Sequence, residues 1–300
     1  MARRGVTEAR ADRLPVLLRA TVLLVFLLVV WGGVVRLSGS GLAIPDWPLA
    51  EGKLLPKPHL HILIEYGHRF LAGLVSVCTI AIAVIVLRSP VRRARLGGLT
   101  IAALAALAIQ VFLGARVVLE DLRIDRVVAH LLVAFTFFAI LLHMALRVRP
   151  REPSAAPDPR ARGLGVYGRV LAGAVFLQAG LGGWVSSSGA ALACPDFPTC
   201  GGSWLPAMTG LVGIHYAHRL GAYTIVLLAL IWILLAARVP LPARARWPVR
   251  VSGILVGVQV LLGIGNVLLR VPLPVGVAHL GTALALFGVL LTGAYELSHA

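Results

Sequence analysis

The chain has 300 residues, of which 59% are hydrophobic and only 13% are charged, and its mean hydropathy is +0.91. A soluble domain of this length carries far more polar surface, so the composition excludes a soluble globular protein and indicates an integral membrane protein. The formal net charge of +16 does not indicate nucleic-acid binding, because the basic residues stand in short clusters between apolar runs and no nucleic-acid-binding motif accompanies them.

Eight apolar runs follow one another along the chain, and each can cross a hydrocarbon core of about 30 Å as a helix. Membrane β-strands would show alternating segments of about ten residues instead. The sequence therefore predicts an all-α integral membrane protein with eight transmembrane helices. The runs are Pro15–Val35, His61–Leu87, Leu96–Val118, Val127–Leu146, Leu164–Val185, Met208–Ala237, Val249–Leu269 and Pro274–Leu297.

Arginine clusters occur in every second connection between these runs. They lie at the N-terminus, between helices 2 and 3, between helices 4 and 5, and between helices 6 and 7, whereas the other connections carry few basic residues. The positive-inside rule then predicts that both termini are cytoplasmic and that the chain is a multi-pass protein of a prokaryotic cell membrane. The arginines are Arg3, Arg4, Arg10, Arg13 and Arg19, then Arg88, Arg92, Arg93 and Arg95, then Arg147, Arg149, Arg151, Arg160, Arg162 and Arg169, and finally Arg238, Arg244, Arg246 and Arg250.

The two halves of the sequence repeat. Pro45-Asp46-Trp47-Pro48 returns 150 positions later as Pro195-Asp196-Phe197-Pro198, and Val128-Ala129-His130-Leu131 returns 149 positions later as Val277-Ala278-His279-Leu280. An even number of helices per unit makes the two units parallel in the membrane. We therefore predict two parallel-repeated four-helix bundles, residues 1–150 and 164–300, joined by a proline-rich cytoplasmic linker, 151–163.

Four histidines recur in register within the apolar runs. His68 and His130 lie in the first half, and His218 and His279 lie in the second. Even-numbered helices run in the same direction, so each pair can face across its own bundle toward the outer side, which is a usual place for a cofactor. Two imidazoles per site favour haem iron over zinc, which takes three or four protein ligands. The alternative is a set of core histidines satisfied by backbone carbonyls.

Glu65 is the position at which the repeat breaks. It lies three residues before His68 on the same helix face, and the matching residue of the second half is His215. A carboxylate beside one site and an imidazole beside the other indicate two different tasks. The alternative for Glu65 is a carboxylate that extends to the membrane surface.

Three further features surround the histidines. Arg69 and Arg219 follow His68 and His218 directly and could pair with haem propionates or with lipid headgroups. Arg36, at the outer end of helix 1, is a third candidate. Cys194 and Cys200, separated by five residues in an outer loop, are expected to form a disulfide, ahead of a zinc or redox role. The glycines of the helices, such as Gly32, Gly182 and Gly263, are interpreted mainly as sites of close helix approach.

At these residues the sequence resembles the haem A synthase family over essentially its whole length. The resemblance rests on the Glu-x-x-His-Arg motif at Glu65–Arg69, the His-x-x-His-Arg motif at His215–Arg219, His130, His279 and the Cys-Pro-x-Phe-Pro-x-Cys outer loop. It implies that His218 and His279, with Arg219, hold a resident haem b. It implies that His68 and His130 frame the haem O substrate, with Glu65 as the essential carboxylate. Many relatives carry a second cysteine pair in the first outer loop, which this chain lacks.

The resemblance also implies the reaction. The C8 methyl of haem O is oxidised to a formyl group by successive hydroxylations, which gives haem A for terminal oxidases. A haem O synthase, which is a protohaem farnesyltransferase, is the expected partner beside membrane lipid, whereas the electron acceptor and any homo-oligomer stay open. The rival function is a dihaem b-type electron-transfer protein that oxidises quinol, and such a protein has no need for the difference between Glu65 and His215.

Overall fold

The structure is a computed structural model that describes residues 13–49, 52–53, 58–150, 158–241 and 243–299. Within these ranges the chain forms eight α-helices and one short 3-10 turn, and an isolated β-bridge joins Cys200 and Ser203. The all-α prediction is confirmed. The helices are α1 Leu14–Leu37, α2 Leu60–Leu87, α3 Pro90–Leu119, α4 Ile124–Arg147, α5 Pro159–Ser187, α6 Gly210–Ala236, α7 Ala243–Leu268 and α8 Leu273–Ser298.

All eight of these helices are long and apolar enough to cross a membrane. Their outward faces carry large exposed apolar side chains, among them Leu23, Phe112, Leu177 and Leu261. Such a surface would be poorly soluble in water and suits contact with lipid chains.

Local signals at the helix starts explain why several helices extend beyond the apolar runs. Ser89 accepts a hydrogen bond from the backbone N–H of Arg92, and Pro90 begins α3. Asp158 accepts one from the N–H of Arg160, and Pro159 begins α5. These are favourable N-cap and first-turn residues.

The early start of α5 changes one predicted boundary. The linker was expected to run to residue 163, but the helix already begins at Pro159 because capping and proline outweigh the polar character of the first turn. Linker residues 151–157 and the N-terminal residues Arg3, Arg4 and Arg10 lie outside the described part of the chain.

Helix contacts divide the helices into two groups of four. In the first group α1 and α3 each pack against α2 and α4, and in the second group α5 and α7 each pack against α6 and α8. The histidine-bearing helices therefore stand diagonally opposite each other in both groups. The described residues of the loops 38–59 and 188–209 lie at one end of the bundles, which we name the loop end, and the opposite end is named the arginine-rich end.

The two bundles meet along α1, α4, α5 and α8, and the repeat symmetry is visible in this interface. A Cβ added to Gly33 of α1 would lie 2.9 Å from Leu280 of α8, and one added to Gly183 of α5 would lie 3.0 Å from Leu131 of α4. At the centre the rings of Phe135 and Phe287 are 5.5 Å apart. Glycine thus lets the helices of different bundles approach closely, as the sequence predicted.

Candidate functional site

The four histidines take equivalent heights in the two bundles. His68 and His218 lie eight residues after the starts of α2 and α6, and His130 and His279 lie six residues after the starts of α4 and α8. At 1.5 Å per residue these are depths of about 12 Å and about 9 Å from the loop end. Within each pair the imidazoles are close enough to interact electrostatically, and all four side chains are half-buried. The structure therefore brings together the pairs that the sequence predicted.

Each imidazole rests against a glycine of a neighbouring helix. A Cβ added to these glycines would lie between 3.0 and 3.3 Å from the Cε1 atom of the ring, so any larger residue would displace it. The pairs are Gly32 with His68, Gly114 with His130, Gly182 with His218, and Gly263 with His279. Each glycine precedes the end of its helix by five residues.

These four glycines correct the sequence interpretation. Gly32, Gly182 and Gly263 were among the glycines interpreted mainly as sites of close helix approach, and Gly114 was given no role, but all four make room for imidazole rings. A signal was available in the sequence, because each of these glycines recurs in the same register as its histidine. Spacing along one helix, however, does not tell which residue of another helix lies opposite.

Glutamine side chains contact three of the four histidines. The amide nitrogens of Gln110 and Gln259 lie 3.1 and 3.3 Å from the Nε2 atoms of His130 and His279. An amide N–H can donate only to an unprotonated ring nitrogen, and this is also the form of a histidine that binds a metal. Each glutamine therefore takes the lone pair that a metal ligand would offer.

Gln178 breaks the symmetry between the halves. Its amide nitrogen lies 3.0 Å from Nδ1 of His218 and donates to the backbone carbonyl of the same residue at 2.7 Å. The matching position of the first half is Leu28, which has no polar group in its side chain. His218 is therefore anchored by a contact that His68 cannot have.

The hydrogen-bond partners of the ring nitrogens show whether the histidine pairs could bind haem iron. The buried Nδ1 atoms of His68, His130 and His279 have no hydrogen-bond partner in the described part of the chain. None of the four rings bonds to a backbone carbonyl within that part, so the core-histidine alternative does not hold for them. His215 does match it, because its Nδ1 lies 2.8 Å from the carbonyl of Ala190.

No cluster of three or more His, Cys, Asp or Glu side chains that could hold a metal exists among the described residues. Two paired imidazoles in glycine-lined space are a donor set for a metal that is held mainly by another ligand, and at His130 and His279 such a metal would replace the glutamine amide on Nε2. The iron of a porphyrin is such a metal. The residues present therefore fit haem.

Glu65 is buried and fixed on both oxygens. The residue is 3% exposed, its Oε1 lies 2.6 Å from a guanidinium nitrogen of Arg69, and its Oε2 accepts from the N–H of Ile44 at 2.9 Å. The alternative of a carboxylate that extends to the membrane surface is wrong. The charge-assisted bond and the backbone bond hold this carboxylate one helical turn from His68.

Arg69 and Arg219 fasten the two outer loops. Arg69 donates to the carbonyls of Ile44, Asp46 and Leu49, and Arg219 donates to those of Cys194, Asp196 and Thr199. The two sets of carbonyls are 150 positions apart. We name this arrangement the arginine clamp. Arg219 is 6% exposed, so its lipid-headgroup alternative is wrong, whereas propionate binding stays a prediction.

The second loop has a disulfide that the first lacks, whereas an aspartate that accepts backbone N–H groups of following glycines is present in both loops, as Asp46 and Asp196. Cys194 and Cys200 form the predicted disulfide, and the residues in their places in the first loop are Ile44 and Ala50. The Asp196 carboxylate accepts hydrogen bonds from the Thr199 hydroxyl and from the N–H groups of Gly201 and Gly202, and these donors lower the pKa of Asp196 well below its usual range.

Arg36 links the two halves at the loop end. Its guanidinium donates to the carbonyl of Ser186 at 2.7 Å, and Ser186 is the residue that matches Arg36 in the second repeat. Its buried Nε atom has no hydrogen-bond partner among the described residues. A cationic side chain is thus held between the two bundles.

Fold and site together define the class: a polytopic membrane protein made of two parallel four-helix units, each with a pair of histidines suited to haem. The family model described as "COX15-CtaA: Cytochrome oxidase assembly protein" matches residues 15–63 and 57–291. The chain belongs to this family.

Curated relatives agree over most of their length. A protein named "Heme A synthase" from Shewanella oneidensis is 30% identical, with 94% of this chain and 96% of the relative covered. One of the same name from Symbiobacterium thermophilum is 34% identical over 70% of this chain and 71% of the relative. Another from Alkalihalophilus pseudofirmus is 30% identical over 89% of this chain and 91% of the relative. The predicted family is confirmed.

Proposed function

We propose that this chain is a haem A synthase, a membrane oxidoreductase that oxidises the C8 methyl of haem O to the formyl group of haem A. The observation that carries the proposal is the pair of matching histidine sites of which only one has a fixed carboxylate, Glu65. Family membership and the shared name of the curated relatives support it. The conversion of a methyl to an aldehyde removes four electrons, in two hydroxylations that are followed by loss of water.

The first half is proposed as the substrate site. His68 and His130 would bind haem O from opposite sides of the bundle, with Glu65 next to the reacting edge. A carboxylate that is already oriented by Arg69 and Ile44 keeps its negative charge in place before the reaction begins. Such a fixed charge stabilises positive charge that develops on the methyl carbon more than it stabilises the ground state, and this difference is what accelerates a reaction.

The second half is proposed as the site of a resident haem b held by His218 and His279. Bound there, haem b would supply one-electron transfer. The disulfide and the anchoring of His218 by Gln178 make this half the more constrained of the two, as suits a permanent cofactor, whereas a substrate has to enter and leave. Arg219 contributes by holding the loop above the site, and a propionate contact of its remaining N–H groups stays part of the proposal.

The arginine-rich end is proposed to face the cytoplasm. The described arginines of that end, together with those of the N-terminus and the linker, give the charge pattern of cytoplasmic connections. The disulfide-bearing loop then lies on the oxidising side of the membrane, where disulfides persist.

The rival function, a dihaem protein that only transfers electrons from quinol, is not supported by the relatives or by the site. Electron transfer needs two haems but does not need Glu65 in one half and His215 in the other. The test is co-expression with a haem O synthase, followed by extraction and chromatography of the haems. The proposal predicts haem A, and haem O as the only modified haem would contradict it.

A further inference from the structure

We propose that a cavity at the arginine-rich end binds a phosphate group, with the headgroup of an anionic phospholipid as its source. The cavity has a volume of about 490 Å³ and is lined by Arg95, His143, Arg147, Tyr295 and His299. It is far from the histidine pairs, which lie toward the opposite end of the helices. The proposal therefore does not depend on the reaction.

The lining provides positive charge without a competing carboxylate. Arg95 and Arg147 contribute two guanidinium groups, and no Asp or Glu lines the cavity among the described residues. The nearest acidic residue in sequence, Glu296, lies 3.5 Å from Arg149 and is thus engaged elsewhere. An anion in this cavity would meet two guanidinium groups and no carboxylate of the described residues.

The two guanidinium groups of the cavity lie next to each other on neighbouring helices. Arg95 donates to the backbone carbonyl of Arg147 at 3.1 Å, which fixes it against the end of α4. The guanidinium of Arg147 makes no hydrogen bond or ion pair with any described residue, so it is available to a ligand. Two guanidinium groups from neighbouring helices can bind phosphate oxygens through several parallel N–H bonds.

Three rings form the opposite wall. The rings of His143 and Tyr295 meet edge to face with centroids 5.4 Å apart, and Tyr295 lies 4.3 Å from the ring of His299. Tyr295 is buried. These rings form an aromatic wall in which Nδ1 of His299 is hydrogen-bonded to the carbonyl of Tyr295 at 2.9 Å, so the donors for an anion come from the two guanidinium groups.

Most residues that line the cavity have no counterpart of the same kind at the equivalent positions of the other repeat. In the register that aligns His130 with His279, His143 is matched by Thr292, Arg147 by Glu296, and Tyr295 by Leu146. Arg95 does recur, as Arg244, but Arg147 is replaced by a carboxylate and the aromatic wall has no counterpart, so the repeat alone does not produce the cavity. This is the pattern expected of a site with its own ligand.

Position identifies the source of the phosphate. Arg147 is the last residue of α4 and His299 follows the last residue of α8, so the cavity lies at the level where a membrane places its headgroups. Basic pockets between transmembrane helices at this level bind anionic lipid headgroups. Since α3 and α4 belong to one bundle and α8 to the other, a bound phosphate would also link the two bundles.

The experiment measures lipid binding by the full-length protein in detergent. Phosphatidylglycerol and phosphatidylcholine with identical acyl chains are titrated in turn, and affinity and the midpoint of thermal unfolding are recorded. We expect phosphatidylglycerol to bind at least about tenfold more tightly and to raise the midpoint, because a ligand of the folded state stabilises it. The variant Arg95→Gln/Arg147→Gln should lose that preference.

Matched controls keep the result specific. Arg93→Gln/Arg250→Gln removes the same charge from the same end of the molecule outside the cavity and should retain the preference. Arg147→Lys, at a side chain that supports no described residue, should lose only part of it. Inorganic phosphate is the third probe: binding that depends on Arg95 and Arg147 would confirm the phosphate site with free phosphate as its source. Equal loss in both double variants, or no preference in the parent, would overturn the proposal.

Discussion

The two outer loops of this molecule are both held by the arginine clamp, and they differ in the further contacts that each loop makes. Arg69 and Arg219 bind the same three carbonyl positions in their loops. The second loop adds a disulfide, and the first adds the contact of Glu65 with both Arg69 and Ile44. The arginine clamp is thus the common scaffold, and the differences between the halves lie in the groups that stand next to it.

This comparison also shows how a duplicated fold can serve two purposes. The pairs of histidines and their glycines are the same in both halves, so both can accept a similar flat ligand. Gln178 and the disulfide constrain the second half, whereas Leu28 and Ile44 occupy their places in the first. The second half is the more constrained and the first half bears the carboxylate, which agrees with the cofactor and substrate roles that we propose for them.

The largest effect is expected when the carboxylate of the first half is removed. Glu65→Gln keeps the shape but loses the charge that we propose next to the reacting carbon, and loss of one such preorganised group slows a reaction by about 100-fold or more. We expect haem O or its alcohol to accumulate while haem b is retained, as measured by haem extraction and chromatography.

The matched change in the second half is His215→Gln. His215 bonds to the carbonyl of Ala190, a contact that an amide can replace, so haem A formation should stay close to that of the parent. Equal losses in Glu65→Gln and His215→Gln would contradict the functional asymmetry of the two positions.

Adjacent glycines provide a sharper test of the site. Gly182→Ala places a methyl 3.0 Å from the ring of His218, whereas Gly183→Ala places one 3.0 Å from Leu131 in the other bundle. Overpacking costs about 1–3 kcal/mol in either case. For Gly182→Ala we expect a lower haem content, and for Gly183→Ala a lower thermal midpoint with normal haem content. A normal haem content in Gly182→Ala, with a lower haem content in Gly183→Ala, would contradict the role of Gly182 beside His218.

A smaller effect is expected from the clamp. Arg219→Gln deprives three loop carbonyls of a charged donor. Buried acceptors without a donor lower the free energy of unfolding, and we expect a loss of about 1–3 kcal/mol because water can reach some of these carbonyls. Thermal unfolding should show a lower midpoint, and limited proteolysis should cut the second loop first. Cleavage that begins elsewhere would argue against the clamp as the main support of the loop.

The smallest effect is expected from the disulfide. Closing such a short loop contributes about 2 kcal/mol at most in the chain-entropy account, and the clamp remains when the bond is lost. Cys194→Ser/Cys200→Ser should lower the thermal midpoint slightly and leave haem A formation intact, as the first half already manages without a disulfide. Complete loss of activity would assign the cysteines a role in the chemistry.

Sequence patterns predicted the helices, the duplication and the histidine pairs, because hydropathy over about twenty residues and recurrence at a fixed offset are strong signals. They also predicted the disulfide. They did not predict that Gly32 and its three equivalents face imidazoles, or that Arg69 and Arg219 bind loop carbonyls. Those facts depend on which helix lies opposite and on how an irregular loop folds back, and neither is set by periodicity along one segment.

Gln178 illustrates the same limit. It is one polar residue in an apolar helix, and its partner, His218, is 40 residues away on the next helix. The sequence contained a hint, since Leu28 stands at the matching position, but only the folded arrangement shows that the difference falls on a candidate ligand.

The most direct test of the account is the symmetric pair His130→Ala and His279→Ala, each purified from cells that make haem O. The extracted haems are separated by chromatography, and the absorption spectrum of the purified protein is recorded. We predict that His279→Ala loses haem b, and that His130→Ala keeps haem b but forms no haem A. Loss of haem b from His130→Ala, with haem b retained in His279→Ala, would contradict the assignment of substrate and cofactor to the two halves.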